Sequence, residues 1–203
     1  MRKFMKSEQI KLVREKAAAV LKEIKYDNGK MISTTAILRA VEKLTGIDVK
    51  IKEFDFSKLA EISKDNERFA RYGAAMYVSP EGPDREARVL LNSKETLEMQ
   101  RFSLVHELGH LIMNTLTPLD KKYLFSTHID MDITNISDEQ LEGNDFLVGE
   151  QMANAFALMV LIPYESFLFA AKKYDSLEEV AKIFGVEKNA LISRMLIGIN
   201  EEA

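Results

Sequence analysis

Residues 106–110 of this 203-residue chain read His-Glu-Leu-Gly-His, and no other stretch limits the fold as much. On a helix, positions i and i+4 lie one turn apart on the same face, so His106 and His110 can both reach one metal ion. Glu107 falls on the flank of that face, where it can take a proton from an attacking water. The residues around the motif are apolar at helical spacing, with Phe102, Leu104 and Val105 before it and Leu111, Ile112 and Met113 after. That setting predicts a core-facing helix with half-buried histidines. Gly109 lies inside the same helix, where glycine costs about 1 kcal/mol relative to alanine. It predicts close backbone approach by another element. The chain has three histidines in all, His106, His110 and His128, so finding two of them at ligand spacing is informative.

Composition narrows what such a site can be. Hydrophobic residues make up 46% of the chain, enough for a core of one domain. The formal net charge is −4, which shows no basic excess to favour nucleic acid or an anionic membrane. There is no cysteine, so a metal site must use histidine and carboxylate, a donor set suited to Zn²⁺. The N-terminus leads into a charged helical pattern rather than an apolar leader. The longest apolar run, Ala155 to Ile162, is too short to span a bilayer. The expectation is a soluble cytoplasmic protein.

Periodicity predicts an α+β fold, mainly helical, with a small antiparallel sheet of about three strands. Helices are expected over 8–25 and from Thr34 to Leu44, the second capped by Thr34 or Thr35 and stopped by Gly46. Strands are expected over Ile47–Ile51, Gly73–Val78 and Arg88–Leu91, the last two forming a hairpin around a turn-rich 79–84. Asn92 opens the motif helix, which runs to Met113. Residues 127–145 are polar and acidic and read as an irregular excursion. Further helices follow over Leu147–Leu161, 164–174, Ser176–Phe184 and Glu187–Leu196. No linker divides the chain, so 1–203 is expected to form one domain. Residues 176–198 would form a helix-turn-helix-like pair packed on it.

A catalytic zinc site needs three protein ligands and an open position. The third ligand could be His128, in the acidic segment, or Glu150, which begins an apolar helix. Helical spacing favours Glu150, because Asn154 lies at i+4 on the same face. There it can hydrogen-bond the outer nitrogen of a ligand histidine and fix its orientation. Ala153 is small enough to let two helices approach.

Three motifs then make a pattern. They are Leu91-Asn92 followed by Gln100-Arg101-Phe102-Ser103-Leu104-Val105-His106-Glu107-Leu108-Gly109-His110-Leu111, Glu150-x-x-Ala153-Asn154-x-Phe156-Ala157, and Leu161-Ile162-Pro163. Together with the closing Val180 to Met195 segment, they resemble the ImmA/IrrE family of metallopeptidases from about residue 8 to 198. The resemblance implies a zincin-like domain with a gluzincin-type centre: His106, His110 and Glu150 as Zn²⁺ ligands and Glu107 as general base. It implies proteolysis of a partner transcriptional repressor, as in phage or mobile-element induction and stress responses. Family members often carry a second glutamate where this chain has Met152.

The oxyanion-stabilising donor is open among His128, Tyr123 and Tyr164. The strand through Leu91 could hold an extended substrate by backbone pairing. Two other readings compete: a metal-binding transcriptional regulator, and an antirepressor that binds a repressor without cutting it. From Ser176 to Ala203 three basic residues face five acidic ones, which disfavours a direct DNA reader. The apolar residues Ala190, Leu191, Ile192, Met195, Leu196 and Ile197 are expected to pack against the body.

Overall fold

The computed structural model describes residues 5, 7–27, 29, 31–58, 72–78, 86–116, 125–129 and 145–199. Its elements run α1 (Ser7–Ile24), α2 (Thr34–Thr45), β1 (Asp48–Phe54), β2 (Tyr72–Val78), β3 (Glu86–Asn92), α3 (Leu97–Leu116), β4 (Phe125–Ile129), α4 (Asp145–Leu161), α5 (Tyr164–Lys173), α6 (Leu177–Phe184) and α7 (Lys188–Ile199). The fold is α+β and mostly helical, as the periodicity predicts.

The sheet departs from expectation in size and direction. Among the described residues it has four strands in the order β1-β3-β2-β4. β2 and β3 form the expected antiparallel hairpin, with Ala74 opposite Leu91 and Val78 opposite Ala87. β1 runs parallel to β3, with Val49 opposite Ala87 and Glu53 opposite Leu91. β4 runs antiparallel to β2 on the far side. Alternation of apolar residues identifies a strand but not its neighbour or direction, so the mixed arrangement was not readable. β4 begins ahead of the acidic segment expected to be irregular and overlaps its start.

This order overturns one expectation about substrate. β3 is interior, and Leu91 is buried with a paired strand on each side. Its backbone has no open edge for a peptide. Among the described residues the open edges belong to β1 and β4.

α3 is the central element. It contacts β2, β3, β4, α2 and α4, and every residue from Ser103 to Met113 is buried. The sheet on one side and the helices on the other enclose its middle turns, polar side chains included. The histidines are therefore fully buried rather than half-buried. The helix starts at a different cap from the one expected. The Met99 backbone N–H donates to Thr96 Oγ1 at 3.2 Å. Asn92 instead closes a turn, accepting from the Lys94 N–H at 3.1 Å. Gln100 Nε2 donates to the Asn92 carbonyl at 3.0 Å and ties the end of β3 to the first turn of α3. Likewise Ser33, not Thr34 or Thr35, caps α2 through the Ala36 N–H.

α4 packs along α3, and Gly109 sets how closely. A Cβ at that position would lie 2.9 Å from Phe156 Cδ1 and 3.3 Å from the Ala153 backbone. Phe156 and Ala153 are both fully buried, so neither can yield cheaply. Gly109→Ala should therefore lose stability, despite the better helix propensity of alanine. Overpacking costs about 1–3 kcal/mol against a gain of about 1 kcal/mol. Thermal unfolding of the variant checks the sign.

α7 is held to the far end of α4. The buried Arg194 donates from Nε to the Ile162 carbonyl at 3.1 Å, and its guanidinium lies 5.4 Å from the Tyr164 ring centre. Leu191 packs inward, but Ile192, Met195 and Leu196 are exposed, contrary to expectation. The helix is attached along one face only, and three apolar residues at i, i+3 and i+4 fall on the other.

Candidate metal centre

α3 and α4 bring three ligand atoms together. The Nε2 atoms of His106 and His110 lie 3.0 Å apart. Glu150 places Oε2 3.3 Å from His106 Nε2 and Oε1 3.1 Å from His110 Nε2. All three side chains are buried. Four-coordinate zinc with bonds of about 2.0–2.1 Å puts its ligand atoms about 3.3 Å apart. The observed triangle is close to one face of such a tetrahedron, so these residues can hold a metal ion.

Asn154 sits where the helical spacing places it. His106 Nδ1 donates to Asn154 Oδ1 at 2.8 Å. With the proton on Nδ1, Nε2 presents a lone pair toward His110 and Glu150. A buried carboxylate between two imidazoles is balanced by a proton on a histidine or by a metal ion, and the spacing of the three groups fits a metal. Asn154→Ala should weaken metal affinity about 10- to 100-fold. A chelator-competition titration reads that loss.

The charges in the site are strongly coupled. Burial lowers the His106 pKa, but the hydrogen bond and charge of Glu150, with help from Glu107 and Asn154, outweigh it and the net shift is upward. Burial, reinforced by the neighbouring His106, lowers the pKa of His110 despite Glu150. Burial alone would raise Glu150, yet its two histidine partners hold it well below the usual carboxylate range. Metal and protons compete for the same lone pairs. Because His106 holds its proton above the ordinary value of 6.5, affinity should begin to fall while pH is still above 6.5 and drop further with acid. Metal titrations across that range check the direction.

Glu107 is fully buried on α3 beside His106. Met152 is buried in the core, and Glu150 is the residue turned to the histidines. The remaining candidates separate. Tyr164 begins α5 beyond the C-terminal end of α4, under Arg194. At about 1.5 Å per residue along α4, that end is roughly 16 Å from Glu150, so Tyr164 lies away from the centre. His128 falls on β4, placed there by its backbone. Tyr123 lies outside the described residues. The Gln100–Asn92 staple, which positions α3, was not anticipated. A glutamine four residues into a helix that follows a strand is a weak signal for it.

The model of the Peptidase M78 family, described as the IrrE N-terminal-like domain, matches residues 45–196. The chain belongs to this family. The match runs from the end of α2 into α7 and contains every residue of the centre. M78 is a metallopeptidase family, in agreement with the ImmA/IrrE resemblance read from the motifs. No curated protein matches the chain. The M78 match begins after most of the α1–α2 pair, which nonetheless packs on the two helices of the centre, α1 on α4 and α2 on α3. Among the described residues no single helix is long and apolar enough to cross a membrane.

Proposed function

We propose that this M78 protein is a zinc-dependent endopeptidase that cuts a cytoplasmic protein partner, a helix-turn-helix repressor of a phage, mobile element or stress regulon. The observation that carries the catalytic part is the convergence of His106 Nε2, His110 Nε2 and the Glu150 carboxylate beside the buried Glu107. The donor set is histidine and carboxylate without thiolate, which suits zinc. Bound there, zinc would polarise the scissile carbonyl and acidify the attacking water. Glu107 accepts the proton of that water and passes it to the leaving amine. Asn154 keeps His106 in the tautomer that presents Nε2.

An extended substrate would pair with β4, which is an edge strand among the described residues and contacts α3. His128 on that strand and Tyr123 are the candidates for the oxyanion donor. The repressor as substrate is supported by the ImmA/IrrE resemblance, and the acidic balance after Ser176 supports a protein partner over DNA.

The second reading is a metal-dependent antirepressor that binds the same partner without cutting it. Incubation of the protein with a repressor encoded beside its gene, with and without chelator, separates the two. Mass spectrometry should find two fragments that chelator abolishes. A stable complex with an intact repressor would favour the antirepressor instead.

A further inference from the structure

Ser103 is fully buried in the middle of α3, and its hydroxyl makes no hydrogen bond. A serine inside a helix ordinarily returns its proton to the carbonyl four residues back. Ser103 does not use that outlet. A buried donor left without an acceptor destabilises a fold, and alanine at the same place would favour the helix and bury no polar atom. Residues that break such rules in a core cluster where function is carried out.

The position of Ser103 on the helix shows what it could serve. At about 100° per residue, with His106 at zero, His110 lies at about 40°, Ser103 at about 60° and Glu107 at about 100°. Ser103 therefore lies in the wedge between the ligand pair and Glu107, four residues before Glu107. Helical side chains lean toward the N-terminus, so the Glu107 side chain extends back over the turn that holds Ser103.

We propose that Ser103 is a positioning residue for Glu107. Its hydroxyl donates to the Glu107 carboxylate when that carboxylate turns to take the proton of the attacking water, and holds it in that orientation. The inference rests on the reading of Glu107 as the base.

The test uses a probe that needs no identified substrate. Acetohydroxamate binds open metal centres and offers a proton to a neighbouring carboxylate, and its binding to the cobalt-loaded protein is followed by visible absorption. Ser103→Ala should bind it about tenfold more weakly, as expected for loss of a hydrogen bond to a charged group. Ser103→Thr should match the wild type. The Tm of Ser103→Ala should equal or exceed that of the wild type, because a solely structural hydroxyl would lower it on removal. Adding Ser103→Ala to Glu107→Gln should change the affinity no further. Unchanged affinity in Ser103→Ala, where Glu107→Gln loses it, overturns the role of Ser103 alone. Wild-type affinity in Glu107→Gln overturns the reading of Glu107 and this inference with it. An equal loss from Ser103→Ala in both backgrounds, with a lowered Tm, makes the hydroxyl structural and also overturns it.

Discussion

Replacing Glu107 by glutamine should slow peptide cleavage at least about 100-fold, the typical contribution of a positioned base. Metal stoichiometry and folding should be unchanged. Glutamine fills the same buried volume at position 107 but cannot accept the water proton. No ligand atom is lost, because the metal triangle is made by His106, His110 and Glu150. Removing the charge also removes one of the influences that raise the His106 pKa. Metal binding by the variant should therefore persist to slightly lower pH than in the wild type. Parallel measurement of metal content and cleavage rate checks both halves. Full activity in the variant would remove Glu107 from the mechanism.

Replacing Glu150 by alanine should abolish metal binding at concentrations that saturate the wild type, a loss of more than about 100-fold, beyond that of an outer-sphere change. Glu150 supplies the third corner of the triangle and its only anionic ligand. Its carboxylate is held ionised by the two histidines, so it is ready to bind a cation without losing a proton. Calorimetric titration of Glu150→Ala beside His128→Ala tests the choice between the two third-ligand candidates. Retained affinity in Glu150→Ala together with loss in His128→Ala would move the ligand to β4.

Most of this centre was legible because it is built on helices. A helix converts sequence spacing into geometry at 3.6 residues per turn, so His106 with His110, and Glu150 with Asn154, could each be placed on one face. Gly109 was legible for a related reason, since an interior glycine in a well-formed helix asks for a packing explanation, and Ala153 and Phe156 supply it. What was missed depends on contacts distant in sequence. The period-two pattern of β1 does not reveal that it pairs in parallel with β3. Nor does the sequence around Leu91 show that β3 is covered on both edges. The caps shifted by one or a few residues because serine, threonine and asparagine compete for the same role, and Ser33 and Thr96 took it in preference to Thr34 and Asn92. Tyr164 was a candidate by residue type alone, and the path of α4 carries it away from the centre.

His106, His110 and Glu150, with Glu107 alongside, form a site for one metal ion. Anomalous diffraction at the zinc edge from crystals of the zinc-loaded protein tests it most directly. One strong peak per chain is expected, about 2.0–2.2 Å from both histidine Nε2 atoms and a Glu150 oxygen. A peak ligated by other residues, or no peak at this triangle in protein that binds zinc stoichiometrically, would contradict it.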